Sequence, residues 1–253
     1  MIKNSINPEY GNWVSKRFIY TPGLVGLAFS AFTLVLPAFL IIAGLSFTVA
    51  VYFAYARYLF ARDGGNVQDR VVELVLTNLD WIGEGQALDI GCGSAALTIK
   101  LVKKYPKARV IGIDYWGKKW EYSKDMCERN TQIEGVSQRV AFQKANASSL
   151  PFTDEYFDAV VSNLVFHEVG DAADKRDVIR EALRVLKKGG KFTFQDLFLI
   201  KRVYGDTDDL IATVRSWGIR KVEFVRTRNS IFIPSALTLP FMLGAMSIIT
   251  GEK

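Results

Sequence analysis

The sequence predicts an α/β fold, a largely parallel sheet with helices on both faces, preceded by an apolar helical hairpin. Three observations predict it. Residues 18–56 carry no charge. From residue 67 onward, short apolar runs alternate with stretches of helical periodicity, as in a parallel sheet whose strands are joined by helices. A glycine loop, Gly91-Cys92-Gly93, stands directly behind the first such run, where ligands bind in folds of this class.

A chain of 253 residues suits one sizeable domain with an appendage. Hydrophobic residues make up 49% of it, as in a globular protein, so their concentration near the N-terminus stands out. The net charge of +6 fits nucleic acid or an anionic membrane, and the placement of the basic residues has to decide. Cys92 and Cys127 have no metal-ligand spacing. That argues against a zinc site or a disulfide framework, and fits a reducing compartment.

The uncharged stretch Phe18–Ala56 covers 39 positions. As one helix it would reach about 58 Å at ~1.5 Å per residue, twice the ~30 Å hydrocarbon core. Two spans of roughly 18 residues each fit better, with Pro37 at the midpoint, where a helix breaks. Lys16 and Arg17 precede the stretch, and Arg57 and Arg62 follow it. Basic flanks favour the cytoplasmic side, so a hairpin that crosses twice or only dips in leaves both ends there. The expected organisation is a cytoplasmic segment 1–17, a membrane-associated hairpin 18–62 and a main domain 63–253.

Asp63-Gly64-Gly65-Asn66 reads as a turn. Val67 through Ile82 then follow helical spacing. Strands are expected at Ala87–Ile90, Arg109–Ile113, Arg139–Gln143, Phe157–Ser162, Lys191–Gln195, Lys221–Arg226 and Ala245–Thr250. Helices are expected at Ala95–Tyr105, Lys118–Glu134, Ala172–Leu186 and Asp206–Trp217.

Several strand ends carry chemistry. Glycines at 91 and 93 let a backbone turn tightly against a ligand. Asp89, two residues earlier, is a poor neighbour for a pyrophosphate and a good one for an ammonium or sulfonium cation. The run Gly91-Cys92-Gly93-Ser94-Ala95-Ala96 also ends without the third glycine of the dinucleotide fingerprint, although alanine is permitted there. Asp114 closes the second strand, placed to accept ribose hydroxyls, and Tyr115 and Trp116 follow it. Asn146-Ala147 comes after the third strand, and Phe157–Asn163 forms the fourth with its polar end. Leu186–Phe192 reads as a helix stop at Gly189-Gly190 leading into a strand.

In order and spacing, these motifs resemble the class I S-adenosylmethionine-dependent methyltransferases. The resemblance covers roughly 67–253. It implies a Rossmann-like sheet of seven strands with a reversed final hairpin, and S-adenosylmethionine as cofactor. It carries Asp89, Gly91, Cys92 and Gly93 to the methionine end of that cofactor. Asp114 goes to the ribose, with Tyr115 and Trp116 packing near adenine. Asn146 and Ala147 go to the adenine, and Asn163 lies near the methyl site. Asn146 departs from the aspartate of many members.

The only histidine, His167, lies just past the fourth strand in Asn163-Leu164-Val165-Phe166-His167-Glu168. This stretch resembles the quinone- and lipid-modifying branch. Three roles stay open for His167: catalytic base, substrate contact, or structural residue. Arg215, Arg220, Lys221, Arg226 and Arg228 cluster ahead of an apolar loop at about 230–244. A basic rim beside an apolar loop suits a membrane surface, although the loop could instead pack on the enzyme's own core. The expected acceptor is lipid-soluble: a quinone precursor, a phospholipid or another apolar small molecule. The alternatives are a small soluble or volatile acceptor, a protein, or a non-catalytic scaffold that binds the cofactor. Nucleic acid is not expected, since the fourth strand ends without the Asn/Asp-Pro-Pro-aromatic loop that holds a flipped base. No metal site is expected.

Overall fold

The computed structural model describes residues 7–117, 122–227 and 230–253. It divides into two compact units: Asn12–Arg70, and Val71–Lys253 together with the described residues before Asn12.

The first unit contains α1 (Arg17–Phe32) and α2 (Phe39–Phe60). Pro37 lies in the turn between them. The helices are unequal, 16 and 22 residues rather than two similar spans, or about 24 and 33 Å at ~1.5 Å per residue. By length and composition, α2 alone among the described helices could cross a membrane. The two helices lie against each other. Phe18 stacks on Phe53 with centroids 5.1 Å apart, and Phe29 meets Phe39 at 5.3 Å. Gly26 faces the Phe47 ring so closely that a Cβ would come within 2.8 Å of it. Their other sides are open, Leu24 of α1 being 66% exposed and Ile41 of α2 69%. Arg57 donates to the carbonyl of Val14, and Asn12 donates to the carbonyl of Arg57 at 3.0 Å.

Helix α3 (Val67–Thr77) leads into the sheet. Its strands are β1 (Gly85–Ile90), β2 (Ala108–Asp114), β3 (Val140–Lys144), β4 (Phe157–Asn163), β5 (Leu186–Asp196), β6 (Lys221–Arg226) and β7 (Ser247–Glu252). Their order is β3-β2-β1-β4-β5-β7-β6. The first five strands are parallel, and β7 runs antiparallel to both neighbours. The intervening helices are α4 (Ala96–Lys104), α5 (Lys124–Ile133), α6 (Lys175–Arg184), α7 (Lys201–Tyr204) and α8 (Thr207–Ser216). Phe157, Phe192 and Phe194 pack with Ile179 and Leu183 of α6 and Leu210 of α8 to form the core on one face. The order reverses at β1, so a crevice opens beyond the carboxyl ends of β1 and β4.

Several expectations are corrected. The helix over 67–82 ends at Thr77, because the carbonyl of Asn78 turns aside to accept from the Thr193 and Thr250 hydroxyls at 3.2 and 2.8 Å. Helix α5 starts at Lys124, where the Ser123 side chain accepts from Met126 N at 3.2 Å; positions 118–121 lie outside the described residues. Helix α6 stops at Arg184, so Gly189 and Gly190 are not its cap. They sit in an irregular start of β5, where the register with β4 shifts and a Cβ on Gly190 would meet the Lys187 carbonyl at 2.8 Å.

The last strand is displaced to Ser247–Glu252. In the loop before it, Ile233, Leu237 and Leu243 are buried, and Ile231 and Phe241 are exposed. Arg220 pairs with Glu252, and Lys221 with Glu223 at 2.9 Å, which offsets part of the basic rim. Arg228 lies outside the described residues.

Candidate active site

Asp89 is 1% exposed near the end of β1. Burial pushes its carboxyl up to about 7, with the Asp114 charge adding to the shift and Thr98 opposing it. The Thr98 hydroxyl donates to Asp89 Oδ2 at 2.5 Å. A buried carboxylate this poorly compensated favours a nearby positive charge.

The glycine loop is built from both sides. Gly91 and Gly93 have φ of +72° and +55°. The amides of Gly91 and Cys92 both donate to the Ile113 carbonyl, at 2.8 and 2.9 Å. A Cβ on Gly91 would lie 2.1 Å from Val165 Cγ2, so the segments after β1 and β4 touch there. Asp114 accepts from the amides of Gly93 at 2.9 Å and Trp116 at 2.7 Å. The Trp116 indole donates to the Gly93 carbonyl at 3.1 Å, which holds the ring on the glycine loop. Tyr115 is exposed, with the Lys144 ammonium 5.0 Å from its ring centre. Asn130 ties this loop to the N-terminal segment, donating to the carbonyls of Glu9 at 2.8 Å and Ser94 at 2.9 Å.

The residues past β3 and β4 are more committed than the sequence implied. Asn146 donates to Asp171 at 2.6 Å and accepts from Ser148 N at 3.1 Å. Ala147 is buried, so its backbone is what a ligand would meet. Asn163 accepts from Gln195 at 2.6 Å. His167 Nδ1 lies 2.6 Å from Asp196 Oδ1.

The sites read from the sequence thus share one end of the sheet. Thr98, Asp171, Gln195 and Asp196 were missed. Asp196 had a signal, since Phe192-Thr193-Phe194-Gln195-Asp196 is a strand-like run ending in an acid, as Val110-Ile111-Gly112-Ile113-Asp114 is. Thr98, on the inner side of α4, had none. Among the described residues, no group of three or more His, Cys, Asp or Glu side chains is placed to hold a metal ion.

Residues 88–194 match the model of a family described as a methyltransferase domain. The chain is 33% identical over 109 residues to the ubiquinone/menaquinone biosynthesis C-methyltransferase UbiE of Desulfotalea psychrophila, covering 43% of this chain and 40% of that protein. It is 34% identical over 106 residues to the demethylmenaquinone methyltransferase of Lactobacillus johnsonii, covering 42% and 41%. The chain thus spans about two fifths of the length of these curated relatives. The fold is similar to geranyl diphosphate C-methyltransferase from Streptomyces coelicolor, solved with S-adenosyl-L-homocysteine, with a TM-score of 0.55 at 13% identity over 74% of this chain and 79% of that one.

The residues present fit S-adenosylmethionine. Asp89 offers an uncompensated carboxylate to its cationic end, and the glycines leave backbone where a side chain would intrude. Asp114 keeps further lone pairs for hydroxyls beyond the two amides it holds. When bound, the cofactor supplies an electrophilic methyl group.

Proposed function

We propose that this chain, whose residues 88–194 form an S-adenosylmethionine-dependent methyltransferase domain, methylates an acceptor dissolved in a membrane. The observation that carries the reading is the apolar exterior of α1 and α2 between Phe18 and Ala56. Leu40, Ile41, Leu45, Val49 and Val51 lie open on several sides of α2. Of the residues of α2, only Ala43, Ala56, Leu59 and Phe60 are buried. Each large apolar side chain left in water forgoes roughly 1.5–3 kcal/mol. A dozen of them would offset the whole stability of an ordinary domain, about 5–15 kcal/mol. A helix apolar on every side belongs in lipid or in a protein core.

Lipid is the favoured cover because basic residues, Lys16, Arg17, Arg57 and Arg62, stand at both ends of an otherwise uncharged stretch. With α1 too short to span, the pair is read as dipping into the cytoplasmic leaflet or crossing with a distorted α1, and the sheet domain lies on the cytoplasmic side. Exposed Ile231 and Phe241 offer a second apolar contact. The acceptor class follows: a quinone precursor, a phospholipid or another apolar molecule. Two curated relatives carry a quinone in their names, ubiquinone/menaquinone in one and demethylmenaquinone in the other.

The test is to incubate the detergent-purified full chain with methyl-labelled S-adenosylmethionine and a lipid extract of its host, then separate the organic phase. An Asp89→Ala variant runs beside it. Label in a lipid or quinone band, absent with the variant, supports the reading. Label confined to the aqueous phase or to protein overturns the lipid acceptor. A Leu36→Cys variant reports topology, because Cys92 and Cys127 are buried. A membrane-impermeant maleimide added from outside labels it after a full crossing and fails if the pair only dips in.

A further inference from the structure

The end of β5 holds a polar cluster distinct from the residues assigned above to the cofactor. Asp196 is 1% exposed. Its Oδ2 accepts from Phe166 N at 2.8 Å and Val165 N at 3.1 Å, and its Oδ1 accepts from Leu197 N at 2.6 Å. His167 Nδ1 lies 2.6 Å from the same Oδ1, with the ring 21% exposed. Three backbone amides already compensate this carboxylate, so the histidine is not needed to make its burial tolerable. The segment that carries the ring packs on Gly91 through Val165, at the mouth of the cofactor crevice.

We propose that His167 and Asp196 form a dyad that takes a proton from the methyl acceptor, which makes that acceptor a hydroxyl, phenol, N–H amine or acidic C–H compound. The inference rests on the methyltransferase reading above. Asp196 holds Nδ1–H, which fixes the tautomer and orientation and leaves Nε2 as the basic nitrogen. The acceptor's proton passes to Nε2, and the electron pair it leaves bonds to the methyl carbon. The carbon–sulfur bond breaks with its pair remaining on sulfur, which becomes a neutral thioether. Asp196 is a positioning residue, and its charge stabilises the imidazolium so formed. A thiolate or tertiary amine acceptor would have no proton to give and no use for the dyad.

Other titratable groups surround the ring. The Glu168 carboxylate lies 3.7 Å from Nε2. The Tyr204 phenol on α7 is raised by burial and by the Asp196 charge. Lys175 is held on the carbonyls of Val169 and Ala172 at 2.5 and 2.6 Å. Across the glycine loop, Asp89 is pushed up to about 7, so an activity profile alone would not tell its ionisation from that of His167.

His167 is the only histidine in the chain, so a full-length protein without a histidine tag, labelled with ¹⁵N-histidine, gives the NMR signals of one ring. The expected result is the Nδ1–H tautomer at pH 8 and a single titration whose midpoint falls in Asp196→Asn, with the tautomers mixed. An Nε2–H tautomer, or a titration unmoved by Asp196→Asn, overturns the dyad whether or not an acceptor is known. Should Asp196→Asn fail to fold, the tautomer in the unaltered protein still decides. In the lipid-extract assay, His167→Gln should keep cofactor affinity and lose about 10²–10⁴-fold in rate, together with the pH dependence of the dyad. A rate within threefold of the parent overturns the proposal and leaves the lipid acceptor standing. No label from the parent protein overturns the lipid acceptor, and the ring's tautomer then judges the dyad alone.

Discussion

Asp89 and Asp196 stand at corresponding places, near the carboxyl ends of two parallel strands, and each is 1% exposed. Their surroundings differ. Asp196 accepts three backbone amides and faces the His167 imidazole. Asp89 leans on Thr98 and feels Asp114 across the loop, so its carboxyl is pushed up to about 7. A buried charge has to be offset by something. At β5 the protein supplies the offset and gains a fixed loop. At β1 the protein supplies little beyond the Thr98 hydroxyl, and on the reading proposed above a cationic ligand would complete the offset. The same residue with the same burial therefore makes an anchor in one place and a receptor in the other.

The largest expected effect tests the anchor. Asp196→Ala strands the amides of Val165, Phe166 and Leu197 and should cost roughly 3–5 kcal/mol, since each buried unpaired donor costs about 1–3 kcal/mol. Denaturant titration of the detergent-solubilised protein measures it. A loss below 1 kcal/mol would mean that water replaces the carboxylate and that Asp196 anchors nothing.

Asp89→Asn should act with the opposite sign. The folded carboxyl holds its proton to about pH 7, and the unfolded one releases it near 3.8. Between those values the folded state binds the extra proton, so stability falls as pH rises and levels off above 7. The full penalty is roughly 4 kcal/mol. The variant should therefore unfold later than the parent at pH 8, match it near pH 4, and bind S-adenosylmethionine at least ~30-fold more weakly. Thermal scans at the two pH values and calorimetric titration read both effects. A variant that is less stable at pH 8 would break the contrast.

How much of this was legible in the sequence depends on distance along the chain. The alternation of strands and helices, the glycine loop and the acids at 89 and 114 are local patterns, and the sheet placed them at one end together. The uncharged stretch and its break at Pro37 were equally plain. The pairing of His167 with Asp196 spans 29 positions, and no periodicity links a loop after one strand to the end of the next. Thr98 depends on how α4 turns over β1, and the lock of Asn146 on Asp171 depends on two loops meeting. The glycine pair at 189 and 190 was misread because φ of +75° at Gly189 serves a strand irregularity as well as it serves a helix cap.

Gly91 links the two aspartates, because Val165, whose amide Asp196 holds, packs against it. Gly91→Ala places a methyl 2.1 Å from Val165 Cγ2 at a φ of +72°. It should cost roughly 2–3 kcal/mol from left-handed strain and overpacking. Gly135→Ala, at φ +71° with nothing within 4 Å, carries the strain alone, about 1–2 kcal/mol. In an Asp196→Ala background the Gly91 penalty should shrink by about 1 kcal/mol, because the released segment can move away. Strict additivity would show that the two strand ends are independent.

Thr98→Val is the finest probe of the receptor side. It keeps the shape and removes the hydroxyl that donates to Asp89 Oδ2 at 2.5 Å. That hydrogen bond favours the ionised carboxylate, so its loss lets the proton stay on to higher pH, and the stability curve should level off later than in the parent. At pH 6, where Asp89 is mostly neutral, the expected cost is about 1 kcal/mol. At pH 8.5, where the lost bond would have been to a charge, it rises to about 2 kcal/mol. Unfolding free energies at the two pH values test this directly. If the cost does not grow with pH, the carboxylate is being offset by something other than Thr98, and Asp89 resembles Asp196 more closely than its surroundings imply.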